Sequence, residues 1–162
     1  MSQTIEIREA REEDFAELLA IENRIWTNEN SPILHHYDNV EQYKERMGNK
    51  QLFVATLAHS VVGFVDVQHP TPLPAHQHQW QLGIGVHPDF QSLGVGRLLL
   101  EHLKAVAPAY GIHKLSLRVM GTNEAAIRFY KRSGFVQEGQ LVDEFFIDGT
   151  YSDDYLFAYL LP

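Results

Sequence analysis

The sequence predicts an α/β fold: one domain over residues 1–162, with a central mixed sheet of about seven strands flanked by about four helices. Three observations predict it. Short apolar or alternating segments of strand length recur along the chain. Longer segments between them carry apolar residues at helical spacing. Glycine and proline fall where one pattern gives way to the other. Together these give the order β-α-α-β-β-β-α-β-α-β-β.

Taken in order, Thr4–Arg8 alternates and reads as a first strand. Acids at Glu12, Glu13 and Asp14 suit the first turn of a helix. Phe15, Leu18, Leu19 and Ile25 continue it, and Thr27–Pro32 breaks it. His35, His36, Tyr37 and Asp38 lie in the next loop. Asp38 or Asn39 caps a short second helix that runs through Met47 and stops at Gly48. Leu52–Leu57 and Val61–Val67 form a hairpin around Ala58-His59-Ser60. His69–His78 is a loop rich in proline and histidine. Trp80–Val86 is a strand, and a helix starts at Gly94 and runs to about Ala109, with Pro108 weakening its last turn and Gly111 ending it. Lys114–Val119 alternates as a strand, and Asn123 caps the helix that Gly134 ends. Phe135–Val142, Glu144–Ile147 and Tyr155–Leu160 complete the sheet, with Asp148-Gly149 as a turn.

Composition narrows the function classes. Apolar content of 44% and charged content of 21% are those of an ordinary folded domain. No apolar run reaches membrane-spanning length, and the start, Met1–Arg8, lacks a signal-peptide pattern; the expectation is a cytoplasmic protein without a membrane partner. There is no cysteine, which excludes disulfides, thiolate metal sites and a cysteine nucleophile. A net charge of −8 disfavours nucleic acid. It would steer a cationic ligand, or serve only to keep the chain dissolved.

The segment Val86–Arg97 holds the first functional signal. An apolar strand ends at Pro88, and Gln91-x-x-Gly94-x-Gly96 leads into the apolar helical run Leu98, Leu99, Leu103. Glycines let a ligand approach the backbone, and a helix start offers free N–H groups and partial positive charge. That is a seat for a phosphate or pyrophosphate. The P-loop pattern fails because Arg97-Leu98 stand where Lys-Ser/Thr is needed. The dinucleotide fingerprint fails because Leu99 replaces its third glycine.

The pattern that remains, together with Asn123-x-x-Ala126-x-x-x-Tyr130-x-x-x-Gly134-Phe135, resembles the GNAT N-acetyltransferase family over roughly residues 4–160. The resemblance implies a GNAT-type fold and an enzyme that moves an acetyl group from acetyl-CoA to a primary amine. With no cysteine to carry the acetyl group, transfer is by direct attack in a ternary complex. Ser92, Leu93, Gly94, Val95, Gly96 and Arg97 would wrap the pyrophosphate; the Arg97 side chain adds charge there or is simply solvated. Backbone of Ile84, Gly85 and Val86 would pair with the pantetheine arm where this strand and the next splay apart. The Val86 N–H would donate to the thioester oxygen. Asn123 caps its helix and, by the family pattern, also binds the arm.

Tyr130 is the expected general acid. A phenol near pKa 10 keeps its proton until a thiolate, near 8.5, departs. The base is open. Protein N-terminal acetylating relatives often carry Glu five residues before the motif Asn; here that position is Arg118. Substitutes are His76, His78, Asp143 and Glu144. His76, His78 and Trp80 share a face if their strand extends back that far. A water chain, or an acceptor with a lowered pKa, would need none of them. His69, His76 and His78 make a weak metal set, and no metal is expected. The acceptor pocket is expected from Trp26, Glu29, His35, His36 and Tyr37 with the hairpin around Phe145–Tyr151, adding His78 and Glu144. The acceptor is expected to be a small molecule; the alternatives are a protein amino group or a non-catalytic acyl-CoA sensor. The resemblance extends to a homodimer, with no residue pattern to place its interface.

Overall fold

The computed structural model describes residues 3–162; Met1 and Ser2, part of the start read above, lie outside them. The strands are β1 (Glu6–Glu9), β2 (Gln51–Leu57), β3 (Ser60–Gln68), β4 (Gln79–Val86), β5 (Lys114–Met120), β6 (Val136–Ile147) and β7 (Thr150–Leu160). They form one sheet in the order β1-β2-β3-β4-β5-β7-β6. The α-helices are α1 (Phe15–Ile25), α2 (Val40–Met47), α3 (Val95–Val106) and α4 (Glu124–Arg132). The sheet is mixed: β4 and β5 are parallel, while β1–β2, β2–β3, β5–β7 and β6–β7 are antiparallel. No helix of the described residues is long and apolar enough to cross a membrane.

Contacts group the chain into two compact units. The first contains residues up to Ile25, His35–Gln68 and Leu82–Ala107; the second contains Trp26–Leu34, His69–Gln81 and Pro108–Pro162. The chain of β4 passes from the second to the first between Gln81 and Leu82.

In the first unit, Leu18 and Ile21 of α1 and Tyr43 and Met47 of α2 bury against Leu52, Val54 and Phe64 of β2 and β3. Side chains alternate along a strand, so Phe53 points to the other face, where its ring meets His102 of α3 at 5.4 Å. In the second unit, Tyr130 of α4, Phe135 and Tyr159 of β7 form a chain of ring contacts at 5.8 and 5.6 Å.

Most elements fall where the sequence puts them, and the departures have physical causes. Glu12–Asp14 is a 3₁₀ turn rather than the start of α1. The Asp14 carboxylate accepts from the Arg11 N–H at 2.7 Å and from two Arg8 nitrogens at 2.7 and 2.9 Å, which pins a tight turn there. The helix after Gly94 leaves α geometry at Ala107, because Pro108 has no N–H to continue the ladder. The two strands expected over 135–142 and 144–147 are one strand, β6, with an irregular register between Leu141 and Phe145. Asp143 takes φ +50° at that break, and its N–H donates to Asp153 Oδ1 at 2.8 Å. The last strand begins at Thr150, five residues earlier than expected, because Asp148 and Gly149 (φ +50° and +78°) make a tight two-residue turn.

Candidate active site

The glycine loop belongs to the first unit and is held from both ends. At its start, the His87 N–H donates to Val62 O at 2.8 Å. The His87 ring accepts from the Asp89 N–H at 3.1 Å, which sets the 3₁₀ turn Pro88–Leu93. At its end, Gly94 stands at φ +76° as the N-cap of α3, a left-handed conformation that glycine adopts without a Cβ penalty. Val95 is fully buried, and its Cγ1 lies only 2.8 Å from where a Cβ on Gly63 would be. The bare backbone of β3 thus lets α3 start close to the sheet. Gln91, Ser92 and Leu93 are exposed, and the first N–H groups of α3 have no partner inside the helix. Arg97 is exposed, yet its guanidinium lies 3.8 Å from the Cβ position of Gly94; its charge is folded over the loop. Free donors, partial positive charge and a guanidinium over a glycine turn fit a pyrophosphate.

The backbone of β4 has a matching polarity. N–H groups of an extended strand point to alternate edges. Since His87 N–H reaches β3, the Val86 N–H faces away from it. The ladder of β4 with β5 covers Gln79–Lys114, Trp80–Leu115 and Gln81–Ser116, so Leu82–Val86 falls outside it. Ile84 and Val86 are half-buried, and a Cβ on Gly85 would meet Ile25 Cδ1 and Phe64 Cε1 at 2.6 Å. Gly85 is therefore set by the approach of α1 and Phe64.

Tyr130 belongs to the second unit. It is 8% exposed, between Phe129 and Phe135 at 5.2 and 5.8 Å. Burial pushes its phenol well above the ordinary value, and its hydroxyl has no hydrogen-bond partner among the described residues. Asn123 caps α4, its Oδ1 accepting from the Ala126 N–H at 3.3 Å.

Other expected site residues are distributed unevenly. Trp26 and Glu29 lie in the second unit, on a loop fastened twice. Thr122 Oγ1 donates to Glu29 O, and Asn28 Nδ2 donates to Asp148 Oδ2 at the β6–β7 tip, both at 2.7 Å. Glu144, on the same hairpin, is exposed. Tyr37 belongs to the first unit, where its ring meets Tyr43 edge-on at 5.3 Å and burial raises its phenol. The shared face proposed for His76, His78 and Trp80 does not form. β4 begins at Gln79, and His76 sits in a 3₁₀ turn with Nδ1 2.8 Å from Thr71 Oγ1. His78 is exposed; its carbonyl accepts from the His113 and Lys114 N–H groups. Three prolines in this loop prevent the extended ladder that a shared face would need. Among the described residues, no group of three or more His, Cys, Asp or Glu could hold a metal ion.

Two charged pairs escaped the sequence reading. Asp66 of β3 is buried, its carboxyl pushed up by burial, with Lys50 Nζ at 3.4 Å. Arg118 Nε donates to Asp154 Oδ2 at 2.5 Å. For the second pair the sequence offered half a signal: Asp153 and Asp154 are the charged residues of β7, but nothing local names their partner.

Comparison with known proteins identifies the family. The acetyltransferase (GNAT) family model matches residues 12–135. An N-alpha-acetyltransferase of Sulfolobus acidocaldarius is 31% identical across 94% of this chain and 90% of its own length. The spermidine N(1)-acetyltransferase of Vibrio cholerae is 39% identical over 69 residues, which are 42% of this chain and 40% of that protein. The crystal structure of smu.2055 from Streptococcus mutans superimposes with a TM-score of 0.90 at 27% identity, covering 97% of this chain and 99% of that one. The chain belongs to the GNAT acetyltransferase family, and is an N-acetyltransferase that draws on acetyl-CoA.

Proposed function

We propose that this enzyme acetylates the primary amine of a small molecule, by direct attack of the amine within a ternary complex in the cytoplasm, where acetyl-CoA is supplied. The observation that carries the reading is the double fastening of the Trp26–Leu34 loop, at Thr122–Glu29 and Asn28–Asp148. Tied to the end of β5 and to the β6–β7 tip, that loop is held in place in the second unit, and a fixed loop there supports a compact acceptor over a polypeptide.

The geometry supports the following roles. Main-chain N–H groups of Ser92–Arg97 hold the pyrophosphate, with the Arg97 guanidinium adding charge. Ile84 and Val86 present main-chain groups to the pantetheine arm. The Val86 N–H steadies the oxygen on which negative charge develops, an effect worth about 3 kcal/mol where such donors are preorganised. Tyr130 returns a proton to the sulfur as it leaves. Asn123 orients α4 and offers its amide to the arm. We assign no side chain as the base: a water chain carries the amine proton to solvent, or an acceptor with a lowered pKa arrives without it.

A protein α-amino group is the second reading, favoured by the name of the Sulfolobus relative, which aligns along nearly the whole chain. Thiol release from acetyl-CoA, measured across small amines, polyamines and peptides with free N-termini, separates the two. Turnover of small amines is expected; turnover of peptides alone would overturn the proposal.

A further inference from the structure

Arg118 is an anchored cation that the acetyl-transfer chemistry leaves unused. It lies on β5 opposite Leu156, with Asp154 opposite Met120 on the same sheet face. The Asp154 side chain is 4% exposed and the Arg118 side chain 44%. A buried carboxylate persists only when paired, so Asp154 fixes the guanidinium through Nε. That bond occupies one of five donors. Both terminal nitrogens remain without a partner among the described residues.

The neighbours on this face are mixed, Leu156 and Met120 beside Ser116, and the α-helix of this unit lies on the other face. Alternation puts Ser116, Arg118 and Met120 on one face. α4, the α-helix of this unit, ends against Tyr159, which is paired with Leu115 on the other face. Beside Arg118, Gln79 Nε2 donates to Ser116 Oγ at 2.7 Å. The Trp26–Leu34 loop is tied at Thr122, just past the end of β5. The face therefore holds a guanidinium that is fixed in place, half open to solvent and bonded to its counter-ion through Nε alone. A planar oxyanion is the chemistry that such a fork recognises.

We propose that Arg118 is a specificity-determining residue that binds a carboxylate on the acceptor, making the acceptor an amine that also carries a carboxylate, in other words an amino acid. This rests on the small-molecule reading above and narrows it. It also runs against the overall charge of −8, which by itself would favour a polyamine.

The test uses matched pairs that differ only by the carboxylate: lysine against 1,5-diaminopentane, and methionine against 3-(methylthio)propylamine. The quantity read is the preference, the ratio of kcat/KM within each pair. The native enzyme is expected to prefer the carboxylate partner about thirtyfold, the size expected of a hydrogen bond to a charged group. Arg118→Lys should reduce that preference at least fivefold, through KM. Arg118→Gln/Asp154→Asn, which leaves no buried charge unpaired, should bring it close to one. Preference near one in the native enzyme, or preference unchanged in both variants, overturns the proposal. Turnover of neither member of any pair would instead sink the small-amine reading. Calorimetry with lysine and CoA then decides the carboxylate site separately: heat lost in the double variant keeps it, and no heat from the native enzyme removes it.

Discussion

The glycine loop of the first unit and the Tyr130–Arg118 region of the second are built from different materials. The loop works through main chain. Gly63, Gly85 and Gly94 each mark a place where a Cβ would collide or a left-handed turn is needed, and the donors on offer are N–H groups. The second region works through side chains: a buried phenol, a capping amide, and a guanidinium fixed by a buried carboxylate. A main-chain site fails when geometry shifts. A side-chain site fails when one functional group is removed. Substitutions in the two regions should therefore divide between loss of binding or stability and loss of turnover.

The largest effect should come from the side-chain region. Tyr130→Phe removes the proposed proton donor and nothing else, because the hydroxyl has no hydrogen-bond partner to abandon among the described residues. We expect kcat to fall at least a hundredfold, with CoA affinity by calorimetry within a factor of about three. A loss below tenfold would break the comparison by showing the phenol to be packing alone.

Next come the main-chain positions. Gly85→Ala places a Cβ 2.6 Å from Ile25 and Phe64, and overpacking of this kind costs about 1–3 kcal/mol. Urea unfolding should show it as a lower midpoint with an unchanged slope; an unchanged midpoint would mean that α1 moves freely off β4. Gly94→Ala meets only the Arg97 guanidinium, at ordinary contact distance, but must hold φ +76°, at a cost of about 1–2 kcal/mol. That strain falls on the loop, so CoA affinity should drop about tenfold while kcat at saturating CoA changes little. A fall confined to kcat would place the pyrophosphate elsewhere.

The same division explains how much was legible beforehand. Main-chain sites leave glycines at fixed spacings, and Gly94 and Gly96 stood out beside an apolar strand and helix. The order of strands and helices was legible for the same reason, since periodicity and turn residues act locally. The bend of β6 was not: the left-handed Asp143 is held by the Asp153 carboxylate ten residues away. Nor was the shared role of Arg118 and Asp154, thirty-six residues apart in sequence. Their pairing depends on β5 lying next to β7, which no local pattern states. Tyr130 was found only through its motif, because one aromatic on a helix face carries no chemistry by itself. The histidine loop is a different case: a shared face for His76, His78 and Trp80 required the strand to extend back past Gln79, and the prolines before it keep that from happening.

The smallest expected effect sharpens the comparison through two arginine–aspartate pairs. In the first unit, Arg8 and the Arg11 N–H saturate the Asp14 carboxylate, so that pair is structural. In the second, Arg118 keeps two nitrogens without a partner among the described residues. The hydrogen bond from Arg8 holds Asp14 below the ordinary carboxylate pKa. A carboxyl depressed in the folded state stabilises it above the unfolded value, near 3.9, and loses that contribution as pH falls through the folded value. Native stability by urea midpoint should therefore decline as pH drops below about 4. Asp14→Asn should cost about 1 kcal/mol at neutral pH, flatten that decline, and leave the carboxylate preference of the acceptor untouched. Were the acid limb equally steep in Asp14→Asn, another carboxyl would be carrying it.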